Sequence, residues 1–143
     1  MGLPLKLRHV PPRLAIGAFI LNSGISKRNL DEDSAAGLQA MAANAYPQLK
    51  EMSPKDFGKL VSTSEMALGA ALLLPVVPTW LAALGLTAFS GSLVKMYLST
   101  PGMTQEDGIR PTQDGTGIAK DVWMLGAALG MLVDAATDKK VVV

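Results

Sequence analysis

Charge is absent from this chain between Met66 and Val94, and the ionisable residues that bracket the gap, Glu65 and Lys95, are the first whose placement needs a chemical reason. A carboxylate at the edge of so long an apolar run is costly unless it pairs with a cation, stays protonated or does work. Lys120 and Asp121 precede another apolar run, Val122 to Val133, and Lys27 closes an earlier one that contains Asn22. If the helices alternate up and down, Glu65, Lys95, Lys120, Asp121, Lys27 and Asn22 gather at one end of a bundle. There they could serve a proton, a quinone or a lipid headgroup. The plainer role is an ion pair that pins two helices, because structural networks perturb ionisation as well.

Other chemistry is narrowly bounded. With no cysteine, thiol redox, disulfides, iron–sulfur clusters and thiolate metal sites are excluded. His9 is the sole histidine, so no imidazole metal site or haem pair can be built from histidines, and no Ser–His–Asp set can be assembled because His9 precedes the helices. No metal or resident cofactor is expected. The stretch Gly115-Thr-Gly-Ile-Ala-Lys120 lacks the spacing and the preceding strand of a phosphate cradle, which argues against a nucleotide. A net charge of +1, with 13 basic residues spread among 12 acids, argues against nucleic acid.

The elements that must position these residues follow from hydropathy and punctuation. At 143 residues the chain reads as one domain, 1–143, and its 49% hydrophobic and 17% charged content lies on the apolar side of soluble proteins. A crossing of hydrocarbon takes roughly 20 apolar residues, so the run from Met66 to Val94, with Pro75 and Pro78 in its middle, predicts two crossings and a tight turn. Four spans are expected, at about 12–29, 54–77, 79–98 and 117–137. Ser53, Pro54 and Asp56 give the second a hydroxyl cap, a first-turn proline and a carboxylate at the positive dipole end. Trp80 and Tyr97 bracket the third as interfacial anchors.

The polar insert 27–53 predicts a short interfacial helix: Leu38, Met41, Ala42 and Ala45 recur at helical spacing after a cap at Asp33 or Ser34. The segment 99–117, rich in glycine and proline, predicts an irregular loop in water. Ahead of Pro11 and Pro12, a basic segment with Leu3, Leu5, Lys6, Leu7, Arg8, His9 and Val10, and with Arg13 beyond the prolines, is expected on the membrane surface. No small-residue cleavage pattern follows Ile25. The fold class is all-α, an integral membrane up-down four-helix bundle. Small residues four apart, at Gly126 and Gly130, Ala67 and Ala71, and Ala88 and Ser92, permit close helix approach, within the bundle or to a docked partner.

Arg13-Leu-Ala-Ile-Gly17 with Ser23-Gly-Ile-Ser-Lys27, then Ser64-Glu65-Met-Ala-Leu-Gly69, and finally Lys120-Asp121 with Gly126, give the chain a further likeness. Over roughly Arg13 to Asp134 it resembles the DoxX-like membrane proteins. The resemblance implies a four-helix integral membrane fold, often linked to quinone-dependent or oxidoreductase assemblies, and Glu65 is similar to the glutamate commonly found in that family's second span. The polar insert and the chargeless turn Pro75 to Trp80 depart from the family pattern.

The expected function is a small non-catalytic subunit, multi-pass in a bacterial plasma (inner) membrane. It docks on and stabilises or regulates a larger complex, an envelope lipid transporter or a respiratory assembly. Its partners are then other membrane subunits and the bilayer. The alternative is a component of a quinone-linked oxidoreductase, with Glu65 and Lys120 flanking the quinone; a soluble helical bundle is the third reading. Following the resemblance, both chain ends are expected in the cytoplasm, although the basic residues of the opposite side outnumber Lys6, Arg8, Arg13, Lys139 and Lys140.

Overall fold

The computed structural model describes residues 6–137; what was expected of Leu3, Leu5, Asp138, Lys139 and Lys140 lies outside them. Among the described residues the chain is all helical, with no strand: α1 (Val10–Ser26), α2 (Glu32–Ala43), α3 (Pro54–Leu73), α4 (Thr79–Ser99), α5 (Thr116–Ala119) and α6 (Asp121–Thr137), plus 3-10 turns at Leu7–His9 and Pro47–Glu51.

Local chemistry sets these limits. Pro11 and Pro12 fall in the first turn of α1, where a missing N–H leaves no bond unmade. The α2 cap is Asp31, whose carboxylate accepts from the Ser34 N–H at 2.7 Å. That is upstream of the expected Asp33 or Ser34; Glu32 and Asp33 instead occupy the first turn, at the positive end of the dipole. Ser53 caps α3 by accepting from the Asp56 N–H at 3.2 Å. This helix ends at Leu73, short of Val77, because Leu74 precedes Pro75 and is held extended at ψ 116°. Beyond the tight turn, Pro78 leads into α4. The last expected helix is broken at Lys120 into α5 and α6.

Two helix pairs dominate the packing, α1 on α3 and α4 on α6, with α2 laid against α3. Glycines make the first pair close. A Cβ on Gly69 would stand 2.6 Å from the Leu21 backbone nitrogen, and one on Gly24 would stand 2.7 Å from that of Met66. Ser62 seals the contact by donating to the Gly24 carbonyl at 2.7 Å. Ile20, Leu72, Ala82, Ala83, Leu86, Ala128 and Met131 form a buried core shared by both pairs. Arg13 of α1 meets Leu72 and Thr79, whereas Lys27 meets Glu65, so α1 and α3 run antiparallel. Asp134 meets His9 and Trp123 lies by Leu98, so α6 returns antiparallel to α4. The result has a terminal end, with His9, Arg13 and Asp134, and a loop end, with Lys27, Glu65 and the 100–115 loop.

Two stretches are long and apolar enough to cross a membrane, Thr79–Ser99 and Thr116–Thr137. The other long helices differ: α1 has 17 residues, roughly 25 Å, and α3 carries Lys55, Asp56 and Lys59 in its opening turns.

Candidate functional site

Glu65 is 5% exposed in the middle of α3. Lys27, at the C-cap of α1, places its ammonium 3.0 Å from both carboxylate oxygens. The same ammonium donates to the Ser23 hydroxyl at 2.6 Å, one turn back along α1. A cation at a helix C-terminus also meets the negative end of the dipole. The unit therefore ties α1 to α3 with every strong donor matched, and it leaves Glu65 no oxygen free of Lys27.

The remaining residues of the expected cluster lie elsewhere at the loop end. Lys95 is exposed and sets its ammonium 4.2 Å from the centroid of the Tyr46 ring, a cation–π contact that ties α4 to the segment after α2. Lys120 is exposed in the break between α5 and α6, and Asp121 is half-buried at the start of α6. Asn22 faces outward, its carbonyl accepting from the Ser26 hydroxyl. Among the described residues no ion pair joins Glu65 to Lys95 or Lys120.

Lys120 instead borders an apolar cavity of about 570 Å³, walled by Val94, Leu98, Ile109, Val122 and Trp123. The loop closes one side of it. Tyr97 donates its hydroxyl to the Ile109 carbonyl at 2.6 Å, and Asp107 accepts from the N–H groups of Ile109 and Arg110 at 2.9 Å each. The Arg110 side chain, followed by those two N–H groups, holds the Asp107 carboxyl below the usual carboxylate range. Gly102 and Gly108, at φ +83° and +73°, supply the left-handed backbone this fold of the loop needs. The expected irregular loop is thus an ordered structure with a Thr104–Pro111 bridge.

At the terminal end the most heavily bonded side chain is Arg13, which is 2% exposed rather than lying on a membrane surface. Its guanidinium donates to the carbonyls of Ala71, Leu72, Leu74 and Val77 and to the Thr79 hydroxyl, at 2.8 to 3.0 Å. Those of Ala71 and Leu72 are orphan carbonyls of the α3 C-terminus and that of Val77 lies in the turn into α4, while the Leu74 carbonyl also accepts from the Val77 N–H at 3.2 Å. Five N–H donors in a rigid fork suit that task; an ammonium has three. Sequence reading missed this role, and its only signal was an arginine set just inside an apolar run after two prolines. Nearby, Asp134 accepts from Arg8 at 2.8 Å and bonds buried His9 at 2.6 Å, joining the two ends of the bundle sequence.

The small-residue pairs divide. Ala67 and Ala88 are exposed, while Ala71 and Ser92 are half-buried, with Ser92 donating back to the Ala88 carbonyl. On α6, Gly126 and Gly130 are exposed, and a Cβ at either would meet nothing within 4 Å among the described residues. They share a stripe with Trp123, 77% exposed, and Val133, 61% exposed. The glycines that bring helices together inside this chain are Gly17, Gly24 and Gly69.

Among the described residues no group of three acidic or histidine side chains is placed to hold a metal ion. Compared with protein-family models, curated proteins and solved structures, the chain matches none.

Proposed function

We propose that this chain is a small non-catalytic integral membrane subunit that docks a transmembrane helix of another subunit against α6. The observation that carries the reading is exposure. In the two apolar stretches that are long enough to cross a bilayer, only 28% and 11% of an apolar 18-residue segment are buried within the described chain. A core helix of a water-soluble bundle is largely covered, so these faces are suited to lipid or to another apolar helix. Gly126 and Gly130 then offer a close-approach groove between Trp123 and Val133, and no helix among the described residues enters it. On this reading α1 and α3 complete a four-helix bundle in a plasma (inner) membrane, and the Lys27–Glu65 unit is a pin between them.

Detergent extraction of tagged protein from its native membrane, followed by native mass spectrometry, tests this. The expected result is co-purification with a larger membrane protein, lost in Gly126→Ile/Gly130→Ile while the chain itself stays folded. A chain that leaves the membrane in a carbonate wash, or that purifies only as a free monomer, overturns the proposal. The quinone-linked reading ranks second, since both Glu65 oxygens are already engaged by Lys27. It predicts that Glu65→Gln abolishes quinone reduction with folding intact.

A further inference from the structure

A second cavity, of about 360 Å³, lies at the loop end between the turn that follows α1 and the opening turns of α3. Lys27 and Arg28 stand on one wall, Lys55 and Lys59 on the other, and Ala35 of α2 and Gly58 of α3 also line it. Gly58 and Ala35 face each other where α2 lies on α3, and a Cβ on Gly58 would make an ordinary contact with that of Ala35, at 3.4 Å. Of the four cations only Lys27 is neutralised, by Glu65. Among the described residues, Arg28, Lys55 and Lys59 have no carboxylate within ion-pair distance, although Asp56 adjoins Lys55 and the Asp31 carboxylate caps α2 nearby. No acid lines the cavity itself. Three like charges on two facing walls repel one another, and an anion between them removes that cost.

From this geometry we infer that the cavity binds a phosphate group, with the Arg28 guanidinium and the Lys55 and Lys59 ammoniums as its donors. Lys55 and Lys59 lie one turn apart on the same helix face, so both ammoniums can reach a single tetrahedral anion. Lys27 is the C-cap of α1, so on the membrane reading of the proposed function the site lies at the level where a helix leaves hydrocarbon and phospholipid phosphates reside. A lipid headgroup and a soluble phosphoester offer the same chemistry. The cation cluster is independent of α6, so its phosphate chemistry stands apart from the docking proposal, whereas its assignment to a lipid headgroup rests on the membrane reading.

Purified protein in neutral detergent is titrated in parallel with phosphatidylglycerol, with phosphatidylcholine and with inorganic phosphate, binding being read by native mass spectrometry and by ³¹P NMR. The expected result is retention of phosphatidylglycerol over phosphatidylcholine, weakened by salt and reduced about tenfold or more in Lys55→Gln/Lys59→Gln. Lys120→Gln, a cation at the same end but outside the cavity, leaves binding unchanged. Inorganic phosphate that binds and is lost in the same double variant also supports the site, and assigns it to a soluble phosphoester if phosphatidylglycerol fails to compete. Lys55 and Lys59 are exposed, so the variants should keep the wild-type unfolding midpoint. Absence of binding by both phosphatidylglycerol and inorganic phosphate, or equal binding by the double variant, overturns the inference.

Discussion

Arg13 shows what a single residue can decide, because one guanidinium satisfies the Ala71, Leu72 and Val77 carbonyls, which the end of α3 and the turn into α4 would otherwise leave without partners. Removing it by Arg13→Ala strands several buried acceptors at once, and the expected loss of unfolding free energy is about 3 kcal/mol or more, read by denaturant titration in detergent. Arg13→Lys should recover only a minor share, since a point-like ammonium cannot reach the same acceptors; full recovery by lysine would refute the fork argument. The Lys27–Glu65 pair makes a different prediction. Breaking it from one side, by Lys27→Met or Glu65→Gln, leaves a buried polar group without its partner and should cost about 3 kcal/mol or more for the lysine change. Lys27→Met/Glu65→Leu should lie much closer to wild type, because it removes both desolvated groups together. If the double variant is as unstable as the sum of the singles, the pair is not the coupled unit described here.

Elements were legible where local chemistry alone decides them. Ser53, Pro54 and Asp56 mark the start of α3, and the charge-free run divides at its prolines into the end of α3 and most of α4, because caps and prolines act within a few residues. What was not legible depends on which helix lies opposite. Gly17, Gly24 and Gly69 have no marked pattern in sequence, yet they set the α1–α3 contact, whereas at the conspicuous Gly126 and Gly130 an added Cβ would meet none of the described residues within 4 Å. Gly69→Ala should therefore destabilise the protein by about 1–3 kcal/mol through overpacking, while Gly130→Ala should be neutral or slightly stabilising through helix propensity. Equal effects at the two positions would contradict this division. The loop carries its own test. Asp107 has a carboxyl held below its unfolded value, so its contribution to loop order is present above the unfolded pKa and is lost as pH falls through the folded one. The amide NMR signals of Ile109 and Arg110 should shift with a midpoint below the usual carboxylate range; a midpoint within that range would count against the Arg110 contact.

On the scale of the whole molecule, the same buried arginine changes how the chain should sit in a bilayer. Cytoplasmic termini were expected with Arg13 counted among the surface charges of the terminal end, but it is 2% exposed and fully engaged by backbone carbonyls and Thr79. The described terminal end then presents Lys6 and Arg8, while the loop end presents Arg28, Lys50, Lys55, Lys59, Lys95, Arg110 and Lys120. Basic residues next to short loops are retained on the cytoplasmic side, so in a membrane this charge distribution favours the loop end inside and the terminal end outside, the reverse of the topology the DoxX-like resemblance implies. The absence of cysteine makes the measurement clean, since each introduced thiol is the only one present. Leu7→Cys, at a position 86% exposed, and Asp114→Cys, also at an exposed position, report on the two ends. An impermeant thiol reagent applied to intact spheroplasts should label the first and spare the second until the membrane is opened. Labelling at position 114 alone would restore the cytoplasmic termini and would place the phosphate-binding cavity in the outer leaflet.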